Sequence, residues 1–387
     1  MFRRASSGAA VLAIALVAAG CPRETRLNLG TPQQVADGIT LYRVSDPARL
    51  GMTGPVAIQL LRIDPAKASL ESAVANGRVM SLETVPDLAK RTGAIAAINA
   101  GFFVVRNGDP TGLLEVRDEL VSESGTMRGA VGIVRHAGQP TRLIFDRVTA
   151  SVTLRFDADG ESYAAPVDGI DTTRVRSKLM LYTPMFGPDS DTAPAGTEWQ
   201  LDGPPLHVTD LRPDAGKTPI PRTGAVLSFG GTVLPTALEH LRIGQAVRLD
   251  TTFQTAFGTL PEGWTDAADI ISGAGLLVYK GQPVTDWTEE QLREGFPTER
   301  HPRTVIGVSA SGTIWLITVD GRNPQVSMGM TFAELQRLAR DLNLQHALNL
   351  DGGGSTTMVV RGAVVNHPSD PTGPRRVSDG LIVTSRR

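Results

Sequence analysis

Apolar positions along this chain fall into short alternating or continuous runs, and only twice into helical stripes. "GITLYRV" (38–44) and "VAIQLLRID" (56–64) alternate with the period of two that a half-buried strand requires. Helix signals gather at two places. Thr84 and Asp87 form an N-cap pair, Pro86 sits in the first turn and Gly93 stops a short helix. Thr331 and Glu334 form a capping box, and Phe332, Leu335, Leu338 and Leu342 line one helical face. Each helix leads into a buried-type strand, "AIAAIN" (94–99) or "HALNL" (346–350), then a polar residue and glycine. Between them, "RHPRTVIGVSASGTIWLITVDGR" (300–322) predicts a hairpin with strands Thr304–Ser309 and Thr313–Val319 about the turn Ala310–Gly312. That pairing sets Arg303 opposite Asp320 within two residues, with Arg322 just beyond. Residues 121–260 are rich in Val, Thr, Gly and Pro and read as a β-rich section with few chemical cues. The fold class expected is α+β, a mixed β-sheet core with few helices and a β-rich middle section.

The N-terminus changes the picture of where the chain works. "MFRRASSGAAVLAIALVAAGC" has a basic start, an apolar run from Ala9 to Val17 and small residues up to Cys21. This predicts a signal peptide over 1–20, with Cys21 lipidated as the mature N-terminus. Polar residues 21–37 then form a tether, and 38–387 the working domain, with 121–260 as its variable section. Cys21 is the only cysteine, so the domain holds together without disulfides. No other run is long enough to span a membrane, leaving the lipid anchor as the one membrane contact. The expected location is the bacterial cell envelope. A formal charge of −2 gives no electrostatic case for nucleic acid.

Candidate chemistry concentrates at strand ends. "LNLDGGGSTTMVV" (348–360) sets Asp351 against three glycines and three hydroxyls. Such glycines let backbone N–H groups approach negative oxygens, the hydroxyls add donors, and Asp351 supplies a base or nucleophile. Asn99, Arg303 and Asp320 also emerge from strand ends, which are rigid supports for a site. The bland alternative for Arg303 and Asp320 is a surface ion pair of little energetic weight. Strand-end groups of this kind add little to a core, so replacing Arg303 is expected to leave folding intact. No lysine follows the glycines as a P-loop needs, Ser355 lacks the G-x-S-x-G setting, and no zinc-type cluster is present. His301 and His367 flank these segments as lone histidines. No cofactor is called for, although an all-oxygen magnesium or calcium site would leave no His or Cys signature.

Taken together, "AIAAINAGFF", "ISGAGLLVYKG", "RHPRTVIGVS", "VDGRNPQVSMGMTFAEL", "ALNLDGGGSTTMVV" and "RRVSDGLIV" resemble the phosphodiester glycosidase family. The motifs keep the family's order from about residue 38, most strongly over 84–117 and 270–384; "LYTPMFG" (181–187) fits more weakly. The resemblance implies hydrolysis of a sugar-1-phosphodiester in a glycan or glycolipid, freeing the sugar. Asp351 is then the first choice of catalytic carboxylate and Asp320 the second, with Arg303 holding the phosphate. Gly353, Gly354, Ser355 and Thr356 would add donors around it; Asn99, Gly101, Thr304 and Arg322 complete the substrate contacts. Two alternatives stay open: a non-catalytic glycan-binding lipoprotein, and a phosphodiesterase that cleaves P–O. Ala100 stands where the family usually has glycine, and Asp379 and Gly380 where asparagine and alanine are common.

Overall fold

The computed structural model describes residues 25–386, so the expected signal peptide (1–20) and Cys21 lie outside the described residues. The chain is mostly β, 43% strand and 11% helix, which shifts the expected α+β balance firmly towards strand. The main sheet has eight strands. In spatial order they are Gln33–Ala36, Ile39–Val44, Ile58–Ile63, Ile314–Val319, Arg303–Ser309, Leu344–Asn349, Leu276–Tyr279 and Gln282–Pro283. Every neighbouring pair in it is antiparallel, so the mixed core sheet expected from sequence is corrected. The physical reason is the scarcity of crossover helices, without which parallel neighbours are hard to connect.

A second antiparallel sheet orders Ala363–Val364, Met358–Val360, Ala96–Asn99, Asp379–Ser385 and Ala68–Val74. Leu61, Ile306, Leu316 and Leu348 of the main sheet meet Leu70, Ile98, Met358 and Leu381 of the second in one dry core. Helices cover the outer faces. Helix α1 (Val85–Thr92) starts at Thr84, whose side chain accepts the Asp87 N–H, and ends at the left-handed Gly93. It buries Val85, Leu88 and Ala89 against Ala97 and Ile382 of the second sheet. Helices α2 (Thr236–Glu239) and α3 (Pro261–Thr265) are single turns outside these layers. Helix α4 (Phe332–Asp341) carries the predicted capping box and seats Phe332, Leu335 and Leu338 on the main sheet beside Val305 and Ile317. Burial of each such side chain contributes about 1.5–3 kcal/mol, enough to fix a helix too short to persist alone.

The predicted hairpin is present as Arg303–Ser309 and Ile314–Val319, in a register that pairs Arg303 with Val319. The tether is shorter than expected. Leu27 and Leu29 are buried beside α4, and Gln33–Ala36 is the edge strand of the main sheet. Apolar residues spaced two apart dock a segment whose polar neighbours made it read as linker. Residues 114–272 build two further sheets, one around the 17-residue strand Arg142–Ala158. The other closes on a separate core of Leu181, Trp199, Leu227 and Val247.

Candidate active site

Both helix–strand units end at the same point. Asn99 closes its strand and donates from Nδ2 to the backbone oxygen of Asp351 at 2.6 Å, while the Asp351 N–H donates to Ala100 O at 2.8 Å. The Asn99 side-chain oxygen accepts from the Thr304 hydroxyl (2.8 Å) and the Thr357 N–H (3.1 Å). Asn99 and Thr304 are both buried. They lock the two sheets together, a positioning role in place of the direct substrate contact expected.

Asp351 sits at the floor of a cavity of about 270 Å³ whose walls include Phe102, Phe296, His301, Arg322 and Arg375. Burial pushes its carboxyl up to about 7. The neighbouring Ser355 hydroxyl, the Gly352 N–H (2.8 Å) and Arg375 favour the carboxylate, and Asp379 opposes it. The Ser355 hydroxyl lies close without meeting hydrogen-bond geometry; it is buried and has no other partner. A carboxyl poised near neutral pH inside a cationic pocket has the properties of a general base.

Of the loop's N–H groups, that of Gly354 alone has no partner among the described residues, and Gly352 to Gly354 line the cavity. The Gly352 N–H is held by Asp351, that of Gly353 donates to Pro302 O (2.9 Å), and those of Ser355 and Thr356 turn back onto Gly352 O and Gly353 O. These N–H groups are thus spent on the protein. The glycines also provide space. A Cβ on Gly353 would stand 2.9 Å from the Arg322 guanidinium, and one on Gly354 would collide with Arg375 and Asp370. The missing side chains let two arginines lie directly over the loop beside Asp351. Arg375 is held by a bidentate pair with Asp370 at 2.8 and 3.1 Å. Arg322 makes no hydrogen bond or ion pair among the described residues, and it adopts a left-handed backbone (φ 61°). A non-glycine residue kept in that conformation stores strain, and such strain gathers at functional sites. Ser355 and Thr356 are buried and are not among the residues that line the cavity.

Arg303 and Asp320 are both buried but do not pair with each other, so neither the surface ion pair nor the expected catalytic partnership is found. The Arg303 guanidinium lies between the rings of Phe296 and Phe332 and donates to Met330 O, Phe296 O and Glu299 O. Burial lowers it to about 10, still charged at neutral pH. It pins the loop that carries Phe296 and His301 to the sheet, and it also lines the Asp351 cavity, with no hydrogen bond from Nη1. The Asp320 carboxylate accepts from Gln59, from the Asn366 side chain and from the backbone and ring of His367. With four donors it has little capacity left to take a proton from substrate. Gly101 donates its N–H to the buried Asp379 carboxylate at 2.6 Å, and burial raises that carboxyl too.

Sequence reasoning missed Arg375, Asp370, Phe102 and Phe296, and noted Asp379 only as a departure. "PSDPTGPRR" (368–376) reads as a polar turn, and nothing local marks which arginine folds back onto the glycines. Two larger cavities, about 390 and 360 Å³, lie in the middle section, and neither sets a carboxylate raised towards neutrality among arginines.

Residues 209–384 match the family model described as phosphodiester glycosidase, a stretch containing Arg322, Asp351 and Arg375. Over that stretch the chain is similar to the phosphodiester glycosidase family. Asn99 and Gly101 lie upstream of the matched stretch. The N-acetylglucosamine-1-phosphodiester alpha-N-acetylglucosaminidase of Bos taurus is 35% identical over 91 residues, 22% of this chain and 17% of that protein. The matched part is therefore a small share of that relative's length. In fold, the chain is similar to a hypothetical protein from Synechocystis (TM-score 0.72, 24% identity), covering 91% of this chain and 63% of that one. It is also similar to an exported protein from Burkholderia pseudomallei K96243 (TM-score 0.70, 25% identity), covering 86% of this chain and 74% of that one.

Proposed function

We propose that this protein hydrolyses a sugar-1-phosphodiester of a glycan or glycolipid at the bond between the sugar C1 and the ester oxygen. The observation that carries the reading is Asp351, raised to about 7, on a cavity floor beside Arg322 and Arg375. Two guanidiniums match the geometry and charge of a phosphodiester and stabilise the charge that grows on it as the bond breaks. The ionised Asp351 takes a proton from water, the water oxygen bonds to C1, and the C1–O electron pair leaves with the phosphate. The products are the free sugar and a phosphomonoester. A phosphate departs as a stable anion, so this reaction does not need the strong general acid of ordinary glycoside hydrolysis. Phe102 and Phe296 lie 6.3 Å apart and edge-to-face, giving the sugar ring an apolar wall.

Export to the cell envelope supports an extracytoplasmic glycan as substrate, and the exported Burkholderia relative is in keeping with that location. Among the described residues no helix is long and apolar enough to cross a membrane. The lipid anchor at Cys21 remains part of the proposal. Hydrolysis in ¹⁸O-labelled water tests the bond assignment: the label is expected in the released sugar. Label in the phosphate would instead establish attack at phosphorus, and loss of turnover on chelation would reveal a required metal ion.

A further inference from the structure

A second compartment opens beside the first. It measures about 220 Å³, and Arg322 lines both. Asp320 lies behind it and accepts from the His367 backbone N–H at 2.9 Å and from the ring Nδ1 at 3.0 Å. A buried carboxylate that holds Nδ1 fixes the orientation of an imidazole. His367 itself is 70% exposed, so the ring stands at the surface of the compartment with Nε2 unpaired. Asn323 and Ser369 line the same compartment, and the Ser369 hydroxyl is buried without any partner. A buried hydroxyl left unsatisfied is costly and awaits a polar group. Apolar lining is confined to Val326, Pro324 and Pro368, with no aromatic ring, so an acyl chain would find little to bury against.

We propose that this compartment is the subsite for a polyhydroxylated group esterified to the far side of the phosphate. The inference rests on the reading of the main cavity as a sugar-1-phosphodiester site. With the phosphate on Arg322 and the sugar above Asp351, the second ester arm leads away from Asp351 into the compartment. There His367, Asn323 and the Ser369 hydroxyl offer hydrogen bonds to successive hydroxyls. Specificity for the aglycone is set here, apart from the residues that break the bond.

Product affinity tests this without requiring turnover. Calorimetry on the chain lacking residues 1–21 compares glycerol 3-phosphate with ethyl phosphate, which share the phosphate and differ in the hydroxyls. Two added hydrogen bonds should make glycerol 3-phosphate bind about tenfold tighter. His367→Ala and Ser369→Ala should each narrow that ratio and leave ethyl phosphate affinity as it was, while Arg322→Ala should weaken both ligands. Equal affinities in the unmodified protein would overturn the subsite, as would a His367→Ala loss shared equally by both ligands. Failure of diester hydrolysis alongside a preserved tenfold preference would sink the proposed reaction and leave the polyol subsite standing.

Discussion

Gly354→Ala separates the two tasks that the glycine run performs. The new methyl would collide with the Arg375 guanidinium and the Asp370 carboxylate, both the free ends of side chains. The fold can yield there by letting Arg375 swing out. That pair is partly exposed, at 32% and 24%, so its loss should cost about 1 kcal/mol or less. Activity should suffer far more. A guanidinium removed from a developing phosphate charge costs about 2.7–4 kcal/mol, or 10²–10³ in rate, and Arg322 on the other side keeps the loss near the lower figure. Gly352→Ala is the contrast, because its Cβ would stand 2.6 Å from the backbone oxygen of Pro302, which cannot rotate away. It should lower stability by about 1–3 kcal/mol, as overpacking does. Urea denaturation and kcat/KM on one sugar-1-phosphodiester, measured for both variants, read the two effects apart. The double variant Gly354→Ala with Arg375→Ala should be no slower than Arg375→Ala alone, since both remove one contact. Unchanged kcat/KM in Gly354→Ala would refute the assignment of Arg375 to the substrate.

Three further outcomes are expected. Asp351→Asn should reduce turnover at least about a hundredfold, and in the unmodified enzyme kcat/KM should rise with pH through about 7 as Asp351 ionises; a flat profile from pH 5 to 8 would remove it as the base. Arg303→Ala should lower stability by about 2–4 kcal/mol in urea melts, because three carbonyls and two ring faces lose their partner; wild-type stability would return Arg303 to the role of a substrate contact. Cys21→Ser should move the expressed protein from the detergent-soluble membrane fraction to the aqueous one, and an unmodified Cys21 in the mature protein's mass spectrum would end the lipoprotein claim.

Legibility tracked the range of the interactions. Capping at Thr84 and Thr331, the hairpin through Arg303–Val319 and the two strands that lead to Asn99 and Asp351 are local, and sequence spacing predicts them. Whether a strand-end side chain faces a cavity or the core depends on segments hundreds of residues away. Asn99 and Asp351 are 252 positions apart, and Asp320 is held by Gln59 from 261 positions upstream. Arg303 shows the limit clearly. A lone arginine before a buried strand has the same local pattern whether it meets a phosphate or three backbone carbonyls between Phe296 and Phe332. Only the return of those loops decides.

The cost of the site is visible in Asp351 itself. Its carboxyl is raised in the folded protein above the ordinary value of 3.8, so the folded state holds a proton that the unfolded chain has released between about pH 4 and 7. Folded stability therefore falls as pH rises across that window, and above 7 the protein carries the full penalty of a buried carboxylate. A residue selected for packing alone would not be ionisable there. Gly352 and Gly353 add their backbone entropy, and Arg322 its left-handed strain, within the same few ångströms. Asp379 deepens the penalty, since its own buried carboxyl disfavours charge on Asp351. Four local departures meet around one cavity. Departures that cluster in this way mark the place where the fold gives up stability for chemistry.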